Sequence, residues 1–204
     1  DMSIGTAKPS VEEMDGVPHY LIDFVSPDVR YSVADFKRDA EEKIRFVLDR
    51  GKVPILCGGT GLYVDSLVYG IDYPEIEFDQ GYRDELMAVA DSEDGLERLY
   101  EMAMKIDPDA VLKISRNDKK RITRVLELYR ATGKTKTELE RESRKNGVKY
   151  DYRIFAIGMD REKLYDRINK RVDLMIEQGL VDEVKDIVKK YDKFPTAMQG
   201  LGYK

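Results

Sequence analysis

Val53-Pro54-Ile55-Leu56-Cys57-Gly58-Gly59-Thr60-Gly61-Leu62-Tyr63 is a short apolar run that breaks into a glycine turn and resumes as a helical pattern. Strand, glycine turn and helix in that order predict a backbone bend at the carboxyl edge of a parallel sheet. Open α/β sheets bind ligands at that edge. Glycines let the main chain approach a ligand closely, and the Thr60 hydroxyl can donate or accept a hydrogen bond. The same residues also fit a tight strand–helix connection that binds nothing. No Gly-Lys-Ser/Thr follows, so the turn is not a Walker A loop.

Working outward, the upstream chain reads as loop (1–10), a short strand-like run (His19-Tyr20-Leu21-Ile22-Asp23) and a helix to residue 48. Ser32 with Asp35 resembles a capping box, and Val33, Phe36, Ala40, Ile44 and Val47 recur at helical spacing. Downstream, a helix is predicted over 61–68. Between 70 and 148 the patterns are helical only, at 82–90, 96–105, 109–114, 118–131 and 136–145. Asn117 is the expected N-cap of one of these and Gly133 its stop, while Thr135 and Glu138 form another box. Strand periodicity returns over 152–158. A helix then runs from an Asp160 cap to Gly179, and another over 181–190. The predicted fold class is α/β. Segments 1–69 and 150–204 supply a parallel sheet core, and 70–149 form an all-helical insertion.

The 204 residues suffice for a substantial core; 42% are apolar and 37% charged, with no Trp. No apolar run approaches the roughly 18 residues of a membrane span, and no secretory segment opens the chain. The single Cys57 excludes an internal disulfide and fits a reducing compartment, so a cytoplasmic location is expected. Placed at the end of a buried strand, Cys57 is expected to be a packed thiol. One Cys and one His exclude the usual Zn site.

Net charge is −5, which disfavours a non-specific nucleic-acid binder. Its distribution says otherwise. Residues 1–112 carry 11 basic and 25 acidic side chains, for −14, whereas 113–149 carry 13 and 5, for +8. A concentrated basic segment on an acidic body suggests a localised anionic partner; a solvated helical face is the plain alternative. At about 100° per residue, Lys120, Arg121 and Arg124 share one wedge, and Ile122, Val125, Leu126 and Tyr129 point away from it. One face packs while the other meets phosphates, with salt-dependent affinity. On the helix after Asp160, Arg171 falls about 20° from Leu164, bordering the stripe of Leu164, Ile168 and Met175, with Arg167 a turn earlier. A guanidinium there calls for an anionic partner, either a carboxylate or a phosphate. Gly5-Thr6-Ala7-Lys8-Pro9 reads as a small-residue turn, and His19 as a hydrogen-bonded imidazole at the core edge.

Taken in order, these segments resemble the tRNA dimethylallyltransferase (tRNA isopentenyltransferase) family. The resemblance rests on Ile4-Gly5-Thr6-Ala7-Lys8-Pro9, His19 to Asp23, Tyr31 to Phe36, Gly58 to Tyr63, Asn117-Asp118 with Lys120 to Arg124, Gly133-Lys134-Thr135, Arg167-Ile168 with Arg171, Met175 with Gly179-Leu180, and Gln199 to Lys204. It covers essentially the whole chain. It implies transfer of a dimethylallyl group from dimethylallyl diphosphate to N6 of the adenosine 3′-adjacent to the anticodon. The implied fold is a P-loop-NTPase-like sheet core with a helical domain on the tRNA anticodon stem-loop. By position, Thr60 and Arg171 are implied catalytic residues, with Arg171 and Arg167 on the diphosphate. Thr6, Lys8, Arg83, Lys120, Arg121, Ile122, Thr123, Arg124, Gln199, Gly200, Leu201, Gly202, Tyr203 and Lys204 are implied to bind tRNA. Mg²⁺ is the implied cofactor and a monomer the expected state. The family's glycine-rich phosphate loop and its Asp-Ser general-base segment precede the Gly-Thr-Ala-Lys-Pro motif, and neither is found here. Metal ligands are expected in that segment. The chain is therefore read as a fragment, expected to be inactive by itself. A non-catalytic RNA-binding protein, a nucleotide kinase-like enzyme, and prenylation of free adenosine monophosphate are the alternatives.

Overall fold

Ser32 begins the first helix as its capping box predicts. Its hydroxyl accepts the Asp35 N–H at 3.3 Å while the Asp35 carboxylate accepts the Ser32 N–H at 2.9 Å. Helix α1 (Val33–Leu48) follows, with two open donors of its first turn satisfied. The structure, a computed structural model, describes residues 1–73, 79–145, 147–194 and 197–203. Among these run α2 (Gly61–Val68), α3 (Gln80–Ala90), α4 (Gly95–Ile106), α5 (Pro108–Val111), α6 (Lys119–Thr132), α7 (Lys136–Ser143), α8 (Arg161–Glu177) and α9 (Leu180–Lys190). Thr135 and Glu138 form the second capping box, at the start of α7. Gly133 ends α6 at φ 68°, in the left-handed region where glycine carries no Cβ penalty. Asp118, not Asn117, caps α6, its carboxylate accepting the Arg121 N–H at 3.1 Å.

The expected α/β fold with a P-loop-NTPase-like parallel sheet is overturned: among the described residues there is no β-strand. A strand exists through the hydrogen bonds of its neighbours, and an apolar β-branched run reports only a preference. Residues 53–57 and 152–158 join no ladder. Val53 and Ile55 are 82% and 86% exposed, Phe155 and Ile157 89% and 96%. The strand-like run at 19–23 fails for a local reason. Leu21 (φ 59°) and Asp23 (φ 55°) adopt left-handed backbone, which breaks an extended chain. Cys57 is exposed rather than packed. His19 is exposed too, its Nδ1 2.8 Å from the Val17 carbonyl oxygen.

The chain divides into two compact units, Asp1–Cys57 with Tyr152–Lys204, and Gly58–Asp151. In the first, α8 packs on α9, and Leu180, Ile187 and Tyr203 form a small core with Met2, Ile4 and Met175. None of the α8 residues is buried. In the second unit α3, α4 and α6 pack together around Leu99, Ala103, Val111, Ile122 and Val125. Burying such side chains contributes about 1.5–3 kcal/mol each for the larger ones. The buried Asp107 ties α5 to α7. Its carboxylate accepts the Ala110 N–H (3.1 Å), the Thr137 N–H (2.8 Å) and the Thr137 hydroxyl (2.7 Å). Burial pushes its pKa upward, but the Thr137 and Ala110 donors and the Lys136 charge outweigh that, leaving it below the ordinary value of 3.8. Among the described residues, no helix is long and apolar enough to cross a membrane.

Candidate functional site

Residues 3–8 close on themselves. The Ala7 N–H donates to the Ile4 carbonyl and the Lys8 N–H to that of Ser3, while the Thr6 hydroxyl donates to Met2 O at 2.7 Å. The turn leaves the N–H groups of Ser3, Ile4 and Gly5 without carbonyl partners inside it. All three donate to the carboxylate of Glu183, in the first turn of α9, at 2.9, 3.0 and 3.3 Å. Consecutive N–H groups make a concave anion site, here filled by a side chain. The Tyr203 hydroxyl donates to the same carboxylate. Tyr203 is buried, its ring stacked over Gly5, whereas residues 199–202 are exposed. The Gly-Thr-Ala-Lys-Pro turn and the Gln-Gly-Leu-Gly-Tyr turn, both expected at RNA, are thus brought side by side.

Electrostatics favour this closed state. Burial pushes the Glu183 carboxyl up, yet the Tyr203 hydroxyl and the Ile4, Ser3 and Gly5 amides hold it below its ordinary 4.5. Burial, then the adjacent Glu183, drives the Tyr203 phenol upward. Lys8 pairs with Asp23. Lys204 lies outside the described residues.

In the second unit, α6 presents the basic segment. Lys120 and Arg121 are exposed, and Lys120 has no ion pair among the described residues. Arg121 reaches the Asp118 carboxylate at 3.2 Å and Lys119 that of Asp91 at 2.7 Å. Ser115, Asn117, Asp118, Lys119 and Lys120 line a shallow, open depression of ≈ 460 Å³. Ile122 and Thr123 are completely buried, so their side chains serve the packed face of α6. Arg124 and Arg83 meet on Glu127, at 3.2 and 3.7 Å, although they come from different helices. Glu127 is buried, and its Oε1 has no hydrogen-bond partner among the described residues.

Thr60 caps α2 through its backbone; its hydroxyl makes no capping hydrogen bond and the residue is exposed. Open space stands over Gly58, Gly59 and Gly61. Arg167 and Arg171 lie one turn apart on exposed α8, without an ion pair among the described residues. Arg171 therefore does not border a buried stripe, because α8 has none. No group of three or more His, Cys, Asp or Glu among the described residues is placed to hold a metal ion. Glu183, Glu127 and Asp107 escaped sequence reading. The one signal for Glu183 is its place in a helix's first turn, common to many acidic residues.

The family model described as IPP transferase matches residues 1–204. The chain belongs to the IPP transferase family. Within it, the tRNA dimethylallyltransferase of Acetivibrio thermocellus is 50% identical over 204 residues, covering 100% of this chain and 65% of its own length. A full-length tRNA isopentenylpyrophosphate transferase from Bacillus halodurans superposes with a TM-score of 0.62 at 40% identity, over 99% of this chain and 62% of that one. A eukaryotic dimethylallyltransferase acting on tRNA gives 0.76 at 28% identity, over 100% of this chain and 50% of that one. The chain thus spans about two thirds or less of the length of these IPP transferase relatives.

Proposed function

We propose that the full-length protein transfers the dimethylallyl group of dimethylallyl diphosphate to N6 of the adenosine 3′-adjacent to the anticodon in tRNA. The observation that carries this is the family match along all 204 residues, with a tRNA dimethylallyltransferase 50% identical over the same span. N6 forms a new C–N bond as the C–O bond to diphosphate breaks, one proton leaves N6, and negative charge builds on the diphosphate. Arg171 and Arg167 receive that charge: they are exposed, unpaired among the described residues, and guanidinium forks suit phosphate oxygens. Thr60 offers an uncommitted hydroxyl beside a glycine turn with open space over Gly58, Gly59 and Gly61, and the target adenine must leave its stack to react. Lys120, Arg121, Arg124 and Arg83 take RNA phosphates, and Ile122 and Thr123 anchor the helix that carries them. The Thr6–Lys8 turn and residues 199–202 approach the anticodon stem-loop, with Tyr203 buried behind them. Mg²⁺ and a cytoplasmic location belong to the same reading.

Incubating the full-length protein with labelled dimethylallyl diphosphate and either an anticodon stem-loop or adenosine monophosphate tests this. Label is expected in the stem-loop and strongly reduced by Arg171→Ala. Stem-loop binding with no transfer would favour an RNA-binding protein, and label in the mononucleotide alone would exclude tRNA as the substrate.

A further inference from the structure

The Glu183 carboxylate receives four donors from two segments far apart in sequence: the N–H groups of Ser3, Ile4 and Gly5, and the hydroxyl of Tyr203. Neither segment is held by regular structure. Residues 3–8 form one closed turn, and residues 200–203 follow a single 3₁₀ turn at Ala197–Gln199. Short glycine-containing turns of this kind sample many conformations unless something fixes them. Glu183 fixes both. Its Oε2 accepts from Ser3 and Ile4, and its Oε1 from Ile4, Gly5 and Tyr203. With its hydroxyl so held, the Tyr203 ring is locked over Gly5, which has no Cβ to displace it.

We propose that Glu183 is a positioning residue, which through this clasp sets Thr6 and Lys8 beside residues 199–202 as one RNA-facing surface. The inference rests on the tRNA reading above and adds to it a residue that touches no substrate. Both carboxylate oxygens accept only, so the role is specific to a carboxylate. An amide of the same shape would turn a donor toward N–H groups that already donate. A misaligned pair of turns then presents a poorer surface to the anticodon stem-loop and leaves the prenyl donor's site untouched.

Steady-state kinetics of the full-length protein with an anticodon stem-loop test it, using Glu183→Gln, Glu183→Ala and Tyr203→Phe. Glu183→Gln is expected to raise KM for the RNA about tenfold. KM for dimethylallyl diphosphate and kcat should stay within about twofold. Glu183→Ala should exceed this, and Tyr203→Phe should move the same parameter less. An unchanged RNA KM in Glu183→Gln overturns the proposal, as does an equal loss in both KM values and kcat, which marks general structural damage. Should the Glu183 variants fail to fold, Tyr203→Phe decides: a selective rise in RNA KM supports the role, and none overturns it. A wild-type protein without turnover on the stem-loop overturns the functional reading, and this role with it; turnover with an unmoved RNA KM overturns only the role.

Discussion

Gly5 lies so near the Tyr203 ring that a Cβ built on it would stand 2.5 Å from Cε2 and 2.6 Å from Cζ. Its φ is not positive, so the demand is for space rather than for unusual backbone. Tyr203 is buried and tied to Glu183, so its ring has little room to yield. Gly5→Ala is therefore expected to destabilise the full-length protein by about 1–3 kcal/mol. A lower urea midpoint would show it, and an unchanged midpoint would mean the ring moves freely. Glu183 has a pH consequence as well. Its folded pKa lies below its ordinary 4.5, so its contribution is complete above that value and is lost as pH falls through the folded pKa. An acid titration of the urea midpoint should show a step in the wild type that Glu183→Gln lacks. Sequence reading placed the Gly-Thr-Ala-Lys-Pro and Gly-Leu-Gly-Tyr motifs but not what joins them. Glu183 stands 180 residues from Ser3, and a contact at that separation leaves no local pattern.

Elements whose determinants are local were legible. Ser32 with Asp35, Thr135 with Glu138, Gly133 and the Asp160 cap all act within a few residues, and α1, α6, α7 and α8 start or stop beside them. Asn117 and Asp118 are adjacent capping residue types, and only the backbone reveals that Asp118 is used. The sheet was misread because a ladder is a property of two segments. Residues 53–57 and 152–158 have strand-like composition and no ladder among the described residues. Asp107 lies between the local and long-range cases, capping α5 locally and clamping Thr137 thirty residues on. Asp107→Ala should cost about 1–3 kcal/mol by stranding buried donors. Hydrogen exchange should localise the loss to the Ala110 and Thr137 amides; protection unchanged at both would show that other groups hold α7.

Across the whole molecule, charge is segregated: −14 over residues 1–112 against +8 over 113–149. That much was plain in the sequence, but its internal pairing was not. Lys119, Arg121 and Arg124 each face a carboxylate, whereas Lys120 has no ion pair among the described residues. Replacing Lys120 and Arg121 together by alanine should reduce the slope of log affinity against log salt for an anticodon stem-loop by about one per lost phosphate contact. An unaltered slope would place the RNA elsewhere. Under the proposed function, the exposed guanidiniums on α8 and the basic face of α6 serve two different anions, a diphosphate and a polynucleotide, that meet in one reaction. Nucleoside analysis by mass spectrometry reads that meeting directly, after the full-length protein has acted on unmodified tRNA with dimethylallyl diphosphate. An adenosine beside the anticodon that is heavier by one dimethylallyl group on N6 is the predicted product. Unmodified adenosine there, despite bound RNA and intact donor, would contradict it.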